Sequence, residues 1–118
     1  VWVYQIQPDG TLAAKQRFGH LHVPDWEENA WADGLKCDRD GRVYVTTRLG
    51  IQVMDQLGRV NAILPAPKAS SQPSNLVFGG PSFDVLYVSS GDKVFRRKLK
   101  TRGVNGWDAP SKPATPKL

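Results

Sequence analysis

Apolar and polar positions alternate in short runs along nearly the whole chain, and no stretch carries the spacing of an amphipathic helix. Trp2-Val3-Tyr4-Gln5-Ile6 predicts a strand, Pro8-Asp9-Gly10 a turn, and residues 11–18 the returning strand of a hairpin, because Asp-Gly takes up positive φ at low steric cost. Residues 21–23 are expected to extend the sheet region, and residues 24–30, acidic and irregular, to form a loop. The next part is the most regular. Leu35-Lys36-Cys37 predicts a short strand, Asp38-Arg39-Asp40-Gly41 a turn, and Arg42-Val43-Tyr44-Val45-Thr46-Thr47 a strand rich in β-branched residues. Leu49-Gly50 turns again, Ile51-Gln52-Val53-Met54 is a third strand, Asp55-Gln56-Leu57-Gly58 a third turn, and residues 59–64 a fourth strand closed by Pro65 and Pro67.

This meander then restarts. After a polar linker over residues 68–73, Asn75-Leu76-Val77-Phe78 resembles Gly34-Leu35-Lys36-Cys37, and Gly79-Gly80-Pro81 predicts a turn. Tyr87-Val88-Ser89-Ser90 repeats Tyr44-Val45-Thr46-Thr47 about 43 residues on, and residues 93–100 repeat the third strand. A repeat of about 40–45 residues carrying four strands is the signature of a β-propeller blade. The expected fold class is therefore all-β, a partial β-propeller of about two and a half four-stranded antiparallel blades. Residues 1–106 are assigned to blades: 1–23 as the outer strands of one, 31–67 as a complete blade and 73–103 as most of a further one. Residues 107–118, with Pro110, Pro113 and Pro116, are expected to form an irregular, mobile tail. A propeller closes with about 4–8 blades, so this count cannot close a ring alone. Val1, not Met, opens directly into a strand pattern, which suggests a processed or excerpted piece of something longer.

Composition changes this picture little. The 118 residues, 40% hydrophobic and 23% charged, suit one globular domain and exclude wholesale disorder. No apolar run approaches the ~20 residues of a membrane-spanning helix, and no targeting peptide is visible. The formal charge of +5 is concentrated in KVFRRKLKTR, residues 93–102. There Phe95, Arg97 and Leu99 alternate with Val94, Arg96, Lys98 and Lys100, as on a solvated outer strand whose charges guard an edge, and a nucleic-acid partner is not expected. The single cysteine excludes an internal disulfide and a multi-cysteine zinc site.

One part of the chain carries a family resemblance. The run WADGLKCDRDGRVYVTTRLGIQVMDQLGRVNAILPAP, followed by PSNLVFGGPSFDVLYVSS, resembles the closing blades of the gluconolactonase family, which also contains regucalcin, or senescence marker protein. The likeness covers roughly residues 18–103, and the pairing of Ala32-Asp33-Gly34 with a downstream Asn75-to-Gly80 NxxFGG segment is its most specific part. It implies a six-bladed propeller with one divalent metal, calcium or zinc, on the central axis, held by a Glu, an Asn and the Asp of the DG motif. Only the last carries over here, onto Asp33, as metal ligand and as the catalytic base. The site is thus incomplete in this chain. The family often has Pro before that Asp, where this sequence has Ala32. A hard cation wants carboxylate oxygen, and Gly34 permits a sharp turn beside the ligand. From the residues alone, Asp33 reads as a plain turn aspartate like Asp9, Asp40 and Asp55.

Other candidates have blander readings. His20 and His22 alternate as on a strand and suggest either a metal pair or, more simply, two half-solvated rings on an outer strand. Cys37 shares a strand face with Leu35 and is expected to be a packed core thiol. Trp31 either stacks on a sugar or caps the propeller core. The function the resemblance implies is that of a fragment of a metal-dependent sugar-lactone hydrolase, in which activated water attacks a lactone carbonyl. The alternative is a non-catalytic propeller that binds a ligand or a protein. An interaction propeller of the NHL type is disfavoured, because Thr46-Thr47-Arg48-Leu49-Gly50 lacks the D-x-x-N that usually follows its second strand. Implied partners are a small sugar lactone and, for the bare blade flanks, the missing blades or other copies of the chain. No membrane partner is expected.

Overall fold

A computed structural model describes residues 1–66 and 71–109. Those residues contain no helix and form nine strands in three antiparallel sheets. The first sheet is the hairpin β1 (Trp2–Ile6) and β2 (Leu12–Arg17). The second is a four-stranded meander of β3 (Leu35–Cys37), β4 (Val43–Thr47), β5 (Gly50–Met54) and β6 (Val60–Leu64), in that order. The third holds β7 (Pro73–Gly79), β8 (Val85–Ser90) and β9 (Lys93–Lys98). These are blades of a β-propeller, one complete and two partial.

The core lies between the second and third sheets. In the β4–β5 register Tyr44 pairs with Val53 and Thr46 with Ile51, so alternate residues of both strands share one face. Tyr44, Ile51 and Val53 meet Leu76, Phe78, Leu86 and Val88 of the third sheet, all buried. Tyr44 and Phe78 stack edge to face, ring centroids 5.2 Å apart. β8 shows the alternation of a strand covered on one side, whereas β4 and β5 are buried on both. The second face of β5 is covered by the chain that follows β2. Gln52, fully buried, accepts the His22 backbone N–H and donates to the His22 carbonyl, both at 2.8 Å, and Gly19 lies against Met54 and Gly58.

Two corners of the meander share one design. In Asp38-Arg39-Asp40-Gly41-Arg42 and Asp55-Gln56-Leu57-Gly58-Arg59, the leading aspartate accepts backbone N–H groups two and four residues on and the arginine Nε at 2.7–2.8 Å. Gly41 and Gly58 take φ near +80° to close the turns.

Several expectations are corrected. Residues 21–23 form no strand, because the Gln52 side chain engages the backbone of His22 in place of a ladder. His20 and His22 are exposed and lie in this irregular segment, not on an outer strand. Cys37 is exposed: β3 is an edge strand paired only with β4, and all three of its residues face solvent. Asp40 lies in the first turn as expected, and within that turn Asp38 is the aspartate that accepts the corner's backbone N–H groups. β9 is solvated along most of its length, as its charge pattern predicted. The expected linker falls partly, and the expected tail mostly, outside the described residues. Of the tail, residues 107–109 are described and carry no strand.

Candidate functional site

Asp33 lies just ahead of β3, and its place is set by neighbours on two sheets. Its N–H donates to the Thr46 carbonyl at 3.2 Å. The next residue is tied more closely: Gly34 N–H lies 2.9 Å from the Ser74 carbonyl and 2.7 Å from Thr46 Oγ1, while the Gly34 carbonyl accepts Thr46 N–H at 2.9 Å. Thr46 Oγ1, fully buried, also reaches the Ser74 carbonyl at 3.1 Å and so couples the two sheets. Gly34 has no room for a side chain, since a Cβ there would stand 2.6 Å from Asn75 Oδ1 and 2.7 Å from Asn75 Cα. The two motifs paired by the sequence, Ala32-Asp33-Gly34 and the segment from Asn75, therefore touch. Asn75 spends its side-chain oxygen on Leu76 N–H at 2.8 Å.

The backbone of Asp33 is thus fixed while its side chain is exposed, and among the described residues its carboxylate has no hydrogen-bond or ion-pair partner. An uncommitted carboxylate on a rigid support fits one ligand position of a hard divalent cation. The rest of a donor set is not assembled here: the described residues contain no cluster of three or more His, Cys, Asp or Glu side chains able to hold a metal. His20 faces Arg17, Nε2 to Nη1 at 3.2 Å, a cationic neighbour that disfavours metal binding.

The loop leading to Asp33 is braced as well. Glu27 binds Arg48 Nε at 3.1 Å through one oxygen and accepts Trp31 Nε1–H at 3.2 Å through the other. The Arg48 backbone N–H donates to the Ala30 carbonyl at 3.0 Å, and Gln72 Nε2 donates to the Trp31 carbonyl at 2.7 Å. Trp31 is exposed and does not cap the core.

At the far end of β3 lies a polar cluster that the sequence reading missed. The Asp38 side chain is wholly buried, and its Oδ2 accepts Arg42 Nε at 2.7 Å, Tyr44 OH at 3.2 Å and Thr101 Oγ1–H at 3.2 Å. Arg42 also pairs with Asp40. Arg39 N–H donates to the Arg102 carbonyl at 2.8 Å and Asp38 bridges to Gly103, so the first corner of the second sheet is clasped by the chain that leaves the third. Burial, then the Asp38 charge, pushes the Tyr44 phenol up to about 12. The hydrogen bond to Asp38 raises the Arg42 guanidinium further. The signal that could have found this cluster is the recurrence of D-x-x-G-R at Asp38 and Asp55, which marks a structural corner. Although Cys37 is exposed as a residue, desolvation of its thiol by neighbouring groups, then the Asp38 charge, raises its pKa and makes it a poor nucleophile.

Comparison with known proteins agrees with this fold. Residues 1–92 match the model of the SMP-30/Gluconolactonase/LRE-like region. A search of curated proteins returns no match. Among solved structures, the chain is similar to an X-ray structure described as a "putative gluconolactonase", at 22% identity and a TM-score of 0.73, over 88% of this chain and 33% of that one. It is also similar to a luciferin-regenerating enzyme, at 22% identity and a TM-score of 0.63, over 89% of this chain and 39% of that one. At that identity the likeness speaks for the fold, and the chain spans well under half the length of either protein. The match over residues 1–92 covers most of the sequence, and the chain belongs to the SMP-30/gluconolactonase/LRE-like family.

Proposed function

We propose that the chain contributes blades to a six-bladed propeller that hydrolyses small sugar lactones, with Asp33 as one ligand of a divalent cation, calcium or zinc, and as the base of the reaction. Family membership and the gluconolactonase-like neighbour support the general activity. The observation that carries the role of Asp33 is its exposed carboxylate, without a partner among the described residues, on a backbone held by Thr46 and by the Gly34 contacts to Ser74 and Asn75.

In this reading water adds to the lactone carbonyl, the ring C–O bond breaks and an open-chain hydroxy acid leaves. Asp33 accepts the proton lost by the attacking water and returns it to the departing ring oxygen, which becomes the hydroxyl of the product. A bound cation would supply Lewis-acid polarisation and a more acidic water. Gly34 and Thr46 keep the Asp33 backbone in one place, so that only the short side chain remains to be ordered by a bound ligand.

The test is Asp33→Ala in the protein encoded by the full reading frame. Because the side chain is exposed, the fold should survive. Lactone hydrolysis should fall by about 10²–10⁴-fold, as for loss of a general base, and calorimetric titration with calcium or zinc should show weaker binding. Activity near that of the unaltered protein would return Asp33 to the status of a turn residue and favour a non-catalytic binding propeller.

A further inference from the structure

Trp31 stands two residues before Asp33 with φ of +52°, in the left-handed region that bulky residues seldom enter. Such a conformation persists only where the surroundings over-determine it, and it gathers at functional sites. Here the surroundings are explicit. Gln72 holds the Trp31 carbonyl at 2.7 Å, Arg48 holds the preceding carbonyl at 3.0 Å, and Glu27, itself paired with Arg48, takes the indole N–H at 3.2 Å. None of this buries the ring, which remains 54% exposed.

A tryptophan is ordinarily held by packing. This one is held by hydrogen bonds at both ends of the residue while much of its apolar surface stays in water. Its only polar group is already satisfied by Glu27, so what it offers a ligand is a flat aromatic face at a fixed angle. Two residues away the chain presents the Asp33 carboxylate, exposed and without a partner among the described residues. An apolar plate two residues along the chain from an oxygen acceptor suits a small ring with C–H groups on one side and hydroxyls around its rim.

We infer that Trp31 is a specificity-determining residue whose indole face receives the ring of the sugar lactone handled at Asp33. This rests on the lactone-hydrolase reading above and names the residue that selects the substrate. Glu27, Arg48 and Gln72 are positioning residues that act through Trp31.

The decisive variant is Trp31→Gly in the protein encoded by the full reading frame. Glycine removes the ring, yet it is the residue best suited to φ of +52°, so the loop conformation is retained. With glucono-δ-lactone as probe, KM should rise about tenfold while kcat stays within about twofold, since the lost contact is made equally in the ground and transition states. Trp31→Phe should recover most of the difference, and the thermal midpoint of Trp31→Gly should match or exceed that of the unaltered protein. An unchanged KM in Trp31→Gly would overturn the assignment. If the unaltered protein hydrolyses no lactone, the hydrolase reading fails on its own, and equilibrium dialysis with gluconate then decides the role of Trp31. Weaker binding by Trp31→Gly than by the unaltered protein would uphold it, whereas equal binding, or none by either, would overturn it.

Discussion

Asp38 and Asp55 hold corresponding corners of one blade, but their surroundings separate their roles. Asp38 sits between sheets with no exposed surface, and Asp38→Ala would leave the hydroxyls of Tyr44 and Thr101 and two backbone N–H groups without their acceptor. The expected loss is about 3 kcal/mol or more, read from urea unfolding. Asp55 sets the acid limb of stability. The Arg59 backbone N–H, with further hydrogen bonds from the Arg59 and Asn61 side chains and Leu57 N–H, holds its carboxyl down at about 2, below the unfolded value of 3.8. Its contribution is therefore full above that unfolded value and fades as the pH falls towards 2. In Asp55→Asn the unfolding midpoint should be lower at neutral pH and should change less between pH 5 and pH 2. Tyr44 acts at the other extreme. Its folded pKa is raised from 10.0 to about 12, so its contribution is full below pH 10 and is lost as the pH climbs through 12. Ultraviolet titration should show a late tyrosine ionisation, and Tyr44→Phe should remove that step.

At the scale of elements, the junction between β3 and β7 carries the most information. Gly34 is required there for space, not for a left-handed φ. Gly34→Ala would drive a methyl group into Asn75, including its Cα, which no rotamer change can clear. Forcing the sheets apart should cost about 1–3 kcal/mol, measured as a lower thermal midpoint. Because Asp33 is the adjacent residue, hydrolysis should fall with it. Thr46→Val tests the same junction without a clash. It removes the hydroxyl that meets Gly34 and Ser74, at an expected cost of about 1–3 kcal/mol for the unsatisfied buried groups.

For the molecule as a whole, the outward face of the third sheet repeats the face that the second sheet buries. Tyr87, Ser89 and Val94 stand where Tyr44, Thr46 and Ile51 stand one repeat earlier, yet Val94 is 71% exposed and Val77 beside it is also exposed. Several apolar groups of the first hairpin are similarly bare, Ile6 at 77%. A face patterned to receive a further blade should find cover, from other blades or from copies of the chain. Residues 1–118 prepared alone should self-associate in sedimentation and hydrolyse no lactone, and Val94→Lys should shift the distribution towards monomer. An active, well-folded monomer would contradict the division of the site among several blades.

The strands and corners of this protein were legible in the sequence because alternation and turn chemistry are local. A period of two, an Asp-Gly pair or a run of β-branched residues acts within one hairpin, and the repeat of Tyr44 to Thr47 as Tyr87 to Ser90 then identified the blade. Asp33 was singled out by family resemblance, since its spacing alone looks like that of any turn aspartate. Burial and partnership were decided only by the tertiary structure, because they depend on which sheet stands opposite. Cys37 shares a strand face with Leu35, yet it lies on an edge strand and faces solvent. His20 and His22 alternate as on a strand, but Gln52, thirty residues away from His22, takes the backbone that a ladder would need. Asp38 and Asp40 differ by two positions in one turn, and only the clasp from Thr101 and Gly103 makes the first of them the buried anchor. The left-handed φ of Trp31 has no purely local cause: besides Glu27, four residues away, the bonds that hold this segment come from Arg48 and Gln72, and only folding brings those two to it.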